Sequence, residues 1–273
     1  MALASLFAQT LQSWECVVVD DGSTDGLQEW MLSVTDSRVR YRRLETNNGR
    51  GYAHQCALDL ARGDFFCTID GDDWIYPDKL QTQVSFLQAR PEIAAVSTGL
   101  AKVDKDGCLR AIDRIENQVY PAGQLDFSRF YFGTAMCRTQ EARKVGFRPE
   151  FRRSQDFDFF VRLLLTRPYA VLGCVAYVYD YAQAATVEVV LEGLKFNQKT
   201  LISVVANSPV VVLRKLFVCT AKIVVYPWLS RFGLWGWLSQ RSPKPTIQDE
   251  ERFRQALKVV SQEFLTYRLP DTN

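Results

Sequence analysis

Histidine is almost missing from this chain: His54 is the only one in 273 residues. That excludes most zinc chemistry and the Ser-His-Asp style of nucleophilic catalysis. Cysteine is present but unpaired in pattern. The seven cysteines are odd in number and form no CxxC spacing, and several sit in apolar runs where a thiol acts as a small hydrophobe. Neither structural disulfides nor a zinc cluster is expected, and a reducing, cytoplasmic setting is. A dominant charge sign is also lacking, the formal net charge being +2, so no nucleic-acid partner is expected. No uncharged apolar run approaches the roughly 18 residues needed to span a bilayer. Residues 1–13, interrupted by Gln9, Thr10 and Gln12 and without a basic leader, do not read as a secretory signal. One absence is local: residues 193–248 contain neither Asp nor Glu.

What is present is ordinary globular material, 47% hydrophobic and 23% charged, enough for one large α/β domain with an appendage. Leu3, Leu6, Phe7 and Leu11 fall at helical spacing. Residues 15–19 read as a buried strand, 27–34 as a helix and 38–44 as a strand, and the loop 47–51 leads into a helix to about residue 62. Strand 64–69, helix 78–89 behind Pro77 and strand 93–98 continue the alternation. Regular alternation of this kind predicts an α/β fold with a doubly wound, mostly parallel sheet, whose ligands sit beyond the carboxyl ends of its strands. Beyond residue 98 the pattern loosens into a hairpin over 103–112, a strand over 132–137, a helix over 154–166 and a strand over 169–179. From residue 184 the chain reads as helical. We therefore expect a catalytic domain over 1–180, with a donor half to about residue 100 and an acceptor half over 101–180. A helical, basic and aromatic region over 181–273 follows.

Two acidic clusters end predicted strands. Asp20 and Asp21 precede Gly22, Ser23 and Thr24, which also suits a turn with a helix cap. A calcium loop fails because its twelfth position, which needs a bidentate acid, is Leu32. Asp70-Gly-Asp-Asp73 packs three carboxylates into four residues after the apolar 65–69, a costly arrangement without a cation. Hard carboxylate oxygens suit Mg2+ or Mn2+ bridging to a diphosphate.

The series Ser5-Leu-Phe-Ala-Gln-Thr10, Val17-Val-Val-Asp-Asp-Gly-Ser-Thr-Asp25, Asn48-Gly-Arg-Gly-Tyr-Ala53, Ala61-Arg-Gly-Asp64 and Ile69-Asp-Gly-Asp-Asp73 resembles the inverting glycosyltransferases of family two. The match is clear over residues 3–90 and fainter to about 165. It implies a glycosyltransferase A-type fold and a nucleoside-diphosphate sugar donor, UDP-sugar favoured. By matching positions, Asp21, with Asp20 beside it, would contact base and ribose, and Arg50 would contribute to the nucleotide pocket. Asp72 would approach ribose or sugar, and Asp73 with Asp70 would hold Mn2+ or Mg2+. The acceptor would be a carbohydrate, a lipid-linked or a protein hydroxyl.

Ser154-Gln-Asp-Phe-Asp-Phe-Phe-Val-Arg162 is similar to the family's Glu-Asp motif, with Gln155 in the place of its glutamate. The likeness makes Asp156 the general base that takes the acceptor's proton in a single inverting displacement. Asp158 and Arg162, four apart, suit a supporting ion pair. The Gln-x-x-Arg-Trp of processive members is not found, so the transfer of single sugars is expected. Family members open with an apolar strand in mid-sheet; here Met1 falls within the helix after it, so an upstream start is expected. A truncated, non-catalytic binder of nucleotide-sugars is the alternative. The acid-free tract carries Lys195, Lys199, Arg214, Lys215, Lys222, Arg231, Arg241 and Lys244 among Trp228, Trp235 and Trp237. Residues 203–245 thus suit peripheral contact with the inner face of a membrane, or a helical appendage packed on the catalytic domain.

Overall fold

Apolar runs broken by polar, glycine-rich turns build the first half of the protein element by element. The computed structural model describes residues 1–180, 186–232 and 243–266. Helix α1 (Ala2–Phe7) leads to β1 (Cys16–Asp20), α2 (Leu27–Ser33), β2 (Val39–Arg43), α3 (Arg50–Leu60) and β3 (Phe65–Cys67). Then come β4 (Trp74–Ile75), α4 (Lys79–Ala89), β5 (Ala95–Val103), β6 (Leu109–Asp113) and β7 (Gln118–Tyr120). Strand β8 (Met136–Arg138), α5 (Thr139–Val145), α6 (Gln155–Thr166) and β9 (Tyr169–Asp180) complete the α/β part. Helices α7 (Val187–Val204), α8 (Pro209–Arg231) and α9 (Ile247–Thr266) follow.

Strands β1 and β2 form a parallel pair, in register from Cys16 opposite Val39 to Asp20 opposite Arg43. The other strands make a seven-stranded mixed sheet in the order β3-β8-β5-β9-β4, with β6 on β5 and β7 on β9. Only β5 and β9 run parallel within it. The paired open edges are informative. Among the described residues strand β1 pairs only with β2 and β3 only with β8, and Cys16, Val17, Val19, Phe65 and Cys67 line one cavity of about 570 Å³ between them.

Three departures from the sequence pattern have local causes. Helix α1 stops at Phe7 because Gln9 is used elsewhere: its Nε2 donates to Ser5 O at 2.8 Å and Tyr76 O at 2.9 Å, and its Oε1 accepts from Leu80 N at 3.1 Å. The expected strand over 132–137 is a 3₁₀ turn at Phe132–Thr134 and then β8. There the Thr134 hydroxyl replaces a ladder rung, accepting from Thr98 N at 3.0 Å and donating to Thr98 O at 2.9 Å. Strands β4 and β7 and helix α5 are too short to show in the pattern of hydrophobic residues.

The core of the acceptor half is aromatic. Phe147 stacks on Phe159 at 4.3 Å, and Phe130 meets Phe160 at 5.3 Å and Tyr169 at 5.2 Å. Helices α7 and α8 extend this core through Leu201, Val204, Val212 and Cys219. Helix α9 instead returns to the opposite side, where Phe253 packs on Trp74 at 5.6 Å and Arg252 lies over Tyr76 at 4.8 Å. The expected boundary near residue 181, and Leu234, Trp235, Trp237 and Arg241 of the tail, lie outside the described residues.

Candidate active site

The site begins where β1 ends. Adjacent residues of a strand point to opposite sides, and the two carboxylates accordingly find different partners. Asp20 is buried; its Oδ1 accepts from Ser23 N at 2.7 Å and its Oδ2 from the Tyr41 hydroxyl at 2.5 Å. Burial alone would raise the Asp20 carboxyl, yet the Tyr41 and Ser23 hydrogen bonds, with Arg43 nearby, hold it below the usual range. The Tyr41 phenol is pushed up to about 12, by burial and by Asp20. Asp21 instead reaches across to the 47–49 loop, accepting from Asn48 N and Gly49 N, both at 2.8 Å.

That loop feeds α3, whose first residue, Arg50, is exposed. Gly51 explains why the helix begins there. Its N–H donates to Phe151 O at 3.0 Å, and a Cβ on it would stand 2.7 Å from that oxygen. The 47–51 segment is thus pressed against residues 148–151, which lead into α6.

The second cluster caps β3. Asp70 and Asp72 are exposed while Asp73 is buried, and carboxylate oxygens of all three lie within 4.8 Å of one another. Asp73 is held from β9: the Tyr177 hydroxyl donates to Oδ2 at 2.6 Å and Asp180 N to Oδ1 at 2.9 Å. Tyr177 Oη also accepts from Asp70 N at 3.4 Å. Burial pushes the Asp73 carboxyl up to about 7; the two hydrogen bonds oppose this, and the like charges of Asp70 and Asp72 add to it. Three hard oxygen donors within 4.8 Å of one another, with like charges that raise the Asp73 carboxyl, are a fitting donor set for a divalent ion such as Mn2+ or Mg2+. Residue 71 is open space for a Cβ, with nothing within 4 Å.

The third component is Asp156, in the first turn of α6. Its Oδ1 accepts from its neighbour Phe157 N at 2.7 Å. Burial raises the Asp156 carboxyl, the Phe157 N–H and His54 pull it down, and the charge of Asp70 raises it further. Asp156 therefore shares one electrostatic neighbourhood with Asp70. His54 comes from α3, with Nδ1 2.8 Å from Arg50 O and its ring 5.2 Å from Phe147. Just before α6, Ser154 adopts φ 53°, the one left-handed non-glycine among the described residues. Its hydroxyl donates to Gly193 O at 3.3 Å. Strained backbone of this kind clusters at functional turns.

Asp158 plays a different part. Fully buried, it receives Arg162 at 2.6 Å, Arg148 at 3.2 Å and the Thr200 hydroxyl at 2.9 Å. The pairing expected with Arg162 is present, and it is one arm of a junction joining α6, α7 and residue 148. Gln155 is buried and its Oε1 has no hydrogen-bond partner among the described residues. A neutral amide costs less in that position than a buried carboxylate would.

All six aspartates and Arg50 thus lie at strand ends or first helical turns. Tyr177, Tyr41, His54 and Ser154 were not foreseen as part of the site. Only Tyr177 carried a signal, as a polar-tipped residue in an otherwise apolar strand.

The α/β fold thus carries a carboxylate cluster beyond a strand end and, on α6, an aspartate whose carboxyl the charge of Asp70 helps to raise. Residues 1–153 match the profile of Glycosyl transferase family 2, and the chain belongs to that family. The succinoglycan biosynthesis protein ExoO of Rhizobium meliloti is 30% identical over 176 residues, 63% of this chain and 50% of ExoO. The amylovoran biosynthesis glycosyltransferase AmsB of Erwinia amylovora is 26% identical over 180 residues, 59% of this chain and 57% of AmsB. The chain spans about half to three-fifths of the length of such relatives. Among solved structures, residues 1–349 of S. aureus TarS with UDP-GlcNAc align over 96% of this chain and 76% of that one, with TM-score 0.63 and 20% identity. The mannosyltransferase PcManGT of Pyrobaculum calidifontis, in complex with GDP-Man and Mn2+, gives TM-score 0.55 at 16% identity over 95% of this chain and 70% of its own. At such identities the likeness establishes the shared fold. Among the described residues no helix is long and apolar enough to cross a membrane.

Proposed function

We propose that this protein transfers a single sugar, with inversion, from a nucleoside-diphosphate sugar (UDP-sugar favoured) to an acceptor hydroxyl. The acceptor is a carbohydrate, a lipid-linked sugar or a protein, met at the cytoplasmic side of the cell. The observation that carries this reading is the carboxylate cluster of Asp70, Asp72 and Asp73 together with Asp156, whose carboxyl is raised by burial and by the charge of Asp70.

The donor's nucleotide lies along the β1 end, where Asp21 fastens the loop that presents Arg50. Asp20, with both oxygens satisfied internally, shapes that turn and contributes to the nucleotide side through it. Asp70 and Asp73 hold Mn2+ or Mg2+, with Asp72 directed to ribose or sugar. The ion, when bound, neutralises charge on the departing diphosphate. Asp156 accepts the acceptor's proton as its oxygen attacks the anomeric carbon from the face opposite the leaving group. A raised carboxyl is the stronger base once ionised, which suits that role.

Incubation with UDP-, GDP- and dTDP-sugars plus Mn2+, followed by release of the nucleoside diphosphate, tests the reading. Asp73→Ala and Asp156→Asn serve as controls. Release that both substitutions abolish supports it. Donor binding without release from the parent chain replaces it with the non-catalytic binder.

A further inference from the structure

Helix α8 is two-faced in a way the catalytic site does not use. Its inner face, Val212, Leu216 and Cys219, joins the core, and Cys219 Sγ donates to Leu194 O of α7 at 3.3 Å. The Gln198 amide of α7 also donates to the Thr220 hydroxyl at 2.8 Å. With α8 fixed on that side, its opposite side is left in water. Val210, Leu213, Phe217, Val224, Trp228 and Phe232 are all exposed, Phe217 by 75% and Trp228 by 60%. With Val218 and Val225, also exposed, they fall on one stripe roughly 140° wide at 3.6 residues per turn. From Val210 to Trp228 the stripe runs about 27 Å at 1.5 Å per residue. Monomeric soluble surfaces rarely leave so continuous an apolar band uncovered.

The charges around the stripe identify what covers it. Arg214 lies within it, and Lys222 and Arg231 flank its two edges; all three are exposed. Lys215 instead turns inward, its Nζ 4.9 Å from the Phe127 ring centroid. The surrounding tract, residues 193–248, has no carboxylate to offset these cations. A second copy docked through the same stripe would set cation against cation, since a two-fold contact pairs a patch with itself. An anionic bilayer satisfies both halves of the surface at once. Apolar side chains enter the headgroup–acyl boundary, Trp228 sits at its preferred depth, and Arg214, Lys222 and Arg231 reach phosphates. No described helix is long and apolar enough to span, so the helix lies along the surface.

We propose that the exposed face of α8 is an interfacial docking surface for an anionic lipid membrane. The proposal stands apart from the sugar-transfer reading, because its test reads no activity. The full chain is floated with vesicles of phosphatidylcholine containing 30% phosphatidylglycerol, and with phosphatidylcholine alone, at low and high salt. We expect flotation with the anionic vesicles, at least tenfold less with neutral ones, and weakening with salt. Phe217→Glu/Trp228→Glu and Arg214→Glu/Lys222→Glu should each cut flotation at least tenfold, with unchanged circular dichroism and melting temperature, because these side chains are exposed. Equal flotation on neutral vesicles, or a Phe217→Glu/Trp228→Glu chain that floats like its parent, overturns the proposal. So does a parent that ignores vesicles but is a dimer by light scattering, with the apolar substitution making it monomeric; that result assigns the face to a second copy.

Discussion

The Tyr177 hydroxyl donates to Asp73 Oδ2 at 2.6 Å, fastening the acidic turn after β3 to strand β9, 104 residues further on. The orientation of the proposed cation site is therefore set from outside the motif that supplies its ligands. Hydrogen bonds to charged groups contribute roughly 1.5–3 kcal/mol. Tyr177→Phe should weaken Mn2+ binding about ten- to a hundredfold at pH 7 and raise the Asp73 carboxyl further. A Mn2+ titration followed by thermal shift reads this directly, and an unchanged midpoint would show that Tyr177 has no part in positioning.

The Asp73 carboxyl, raised to about 7, predicts how cation affinity depends on pH. Its folded-state value lies above the unfolded one, so its ionisation subtracts stability as pH rises from about 4 to about 7. A cation prefers the ionised form, so its apparent affinity should climb with pH and level off above about 7. The Mn2+-induced rise in melting temperature should be clearly smaller at pH 5.5 than at pH 7.5. A rise independent of pH would remove Asp73 from the ligand set.

Asp156 is raised by burial and by the charge of Asp70. A base works only when ionised, so kcat/KM for sugar transfer should fall on the acid side at a pH above the ordinary carboxylate range of about 4. Asp156→Asn should lower kcat by about 10²–10⁴ and abolish that limb, with donor binding kept. An Asn variant that retained the acid limb would assign it to another group.

Asp158 is fully buried among Arg148, Arg162 and Thr200. Replacing it with Ala takes the carboxylate from two partly buried guanidiniums, Arg162 and Arg148, and should cost about 2–4 kcal/mol in urea unfolding. A loss below about 1 kcal/mol would mean the junction is not fully desolvated.

Gly51 and Gly71 make a contrasting pair. A Cβ at Gly51 meets the Phe151 carbonyl at 2.7 Å, whereas at Gly71 nothing lies within 4 Å. Gly51→Ala should lower stability by about 1–3 kcal/mol through overpacking. Gly71→Ala should leave the melting temperature unchanged, so any rise in donor KM there reports close approach of the donor. Equal melting temperatures for both variants would contradict the close packing at Gly51.

The strand ends and helix starts that carry the site were readable because they are local. An apolar run closed by Asp20-Asp-Gly or Asp70-Gly-Asp-Asp is a strand meeting a turn, whatever surrounds it. The hairpin of β5 and β6 around Asp104–Gly107 and the ion pair of Asp158 with Arg162 were equally local. Sheet membership was not: β5 is parallel to β9 but antiparallel to β8 and β6, and hydrophobic spacing carries no strand direction. Nor could spacing show that Gln9 ends α1 by bonding to residues near 76–80, or that Thr134 substitutes for a rung of the sheet.

By itself, then, the sequence determined which side chains stand at the ends of β1 and β3 and at the start of α6. Those placements depend on the period of apolar residues and on turn chemistry within a few positions. Only the tertiary structure decided which of the carboxylates are left for a ligand. Asp20 is satisfied by Tyr41 and Asp21 by the Asn48–Gly49 backbone, whereas Asp73, oriented by Tyr177, stays within reach of the exposed Asp70 and Asp72 in one cluster of oxygens. A carboxylate's charge and freedom depend on burial and on donors, and here those donors arrive from 21 to 104 residues away, where no local pattern reaches.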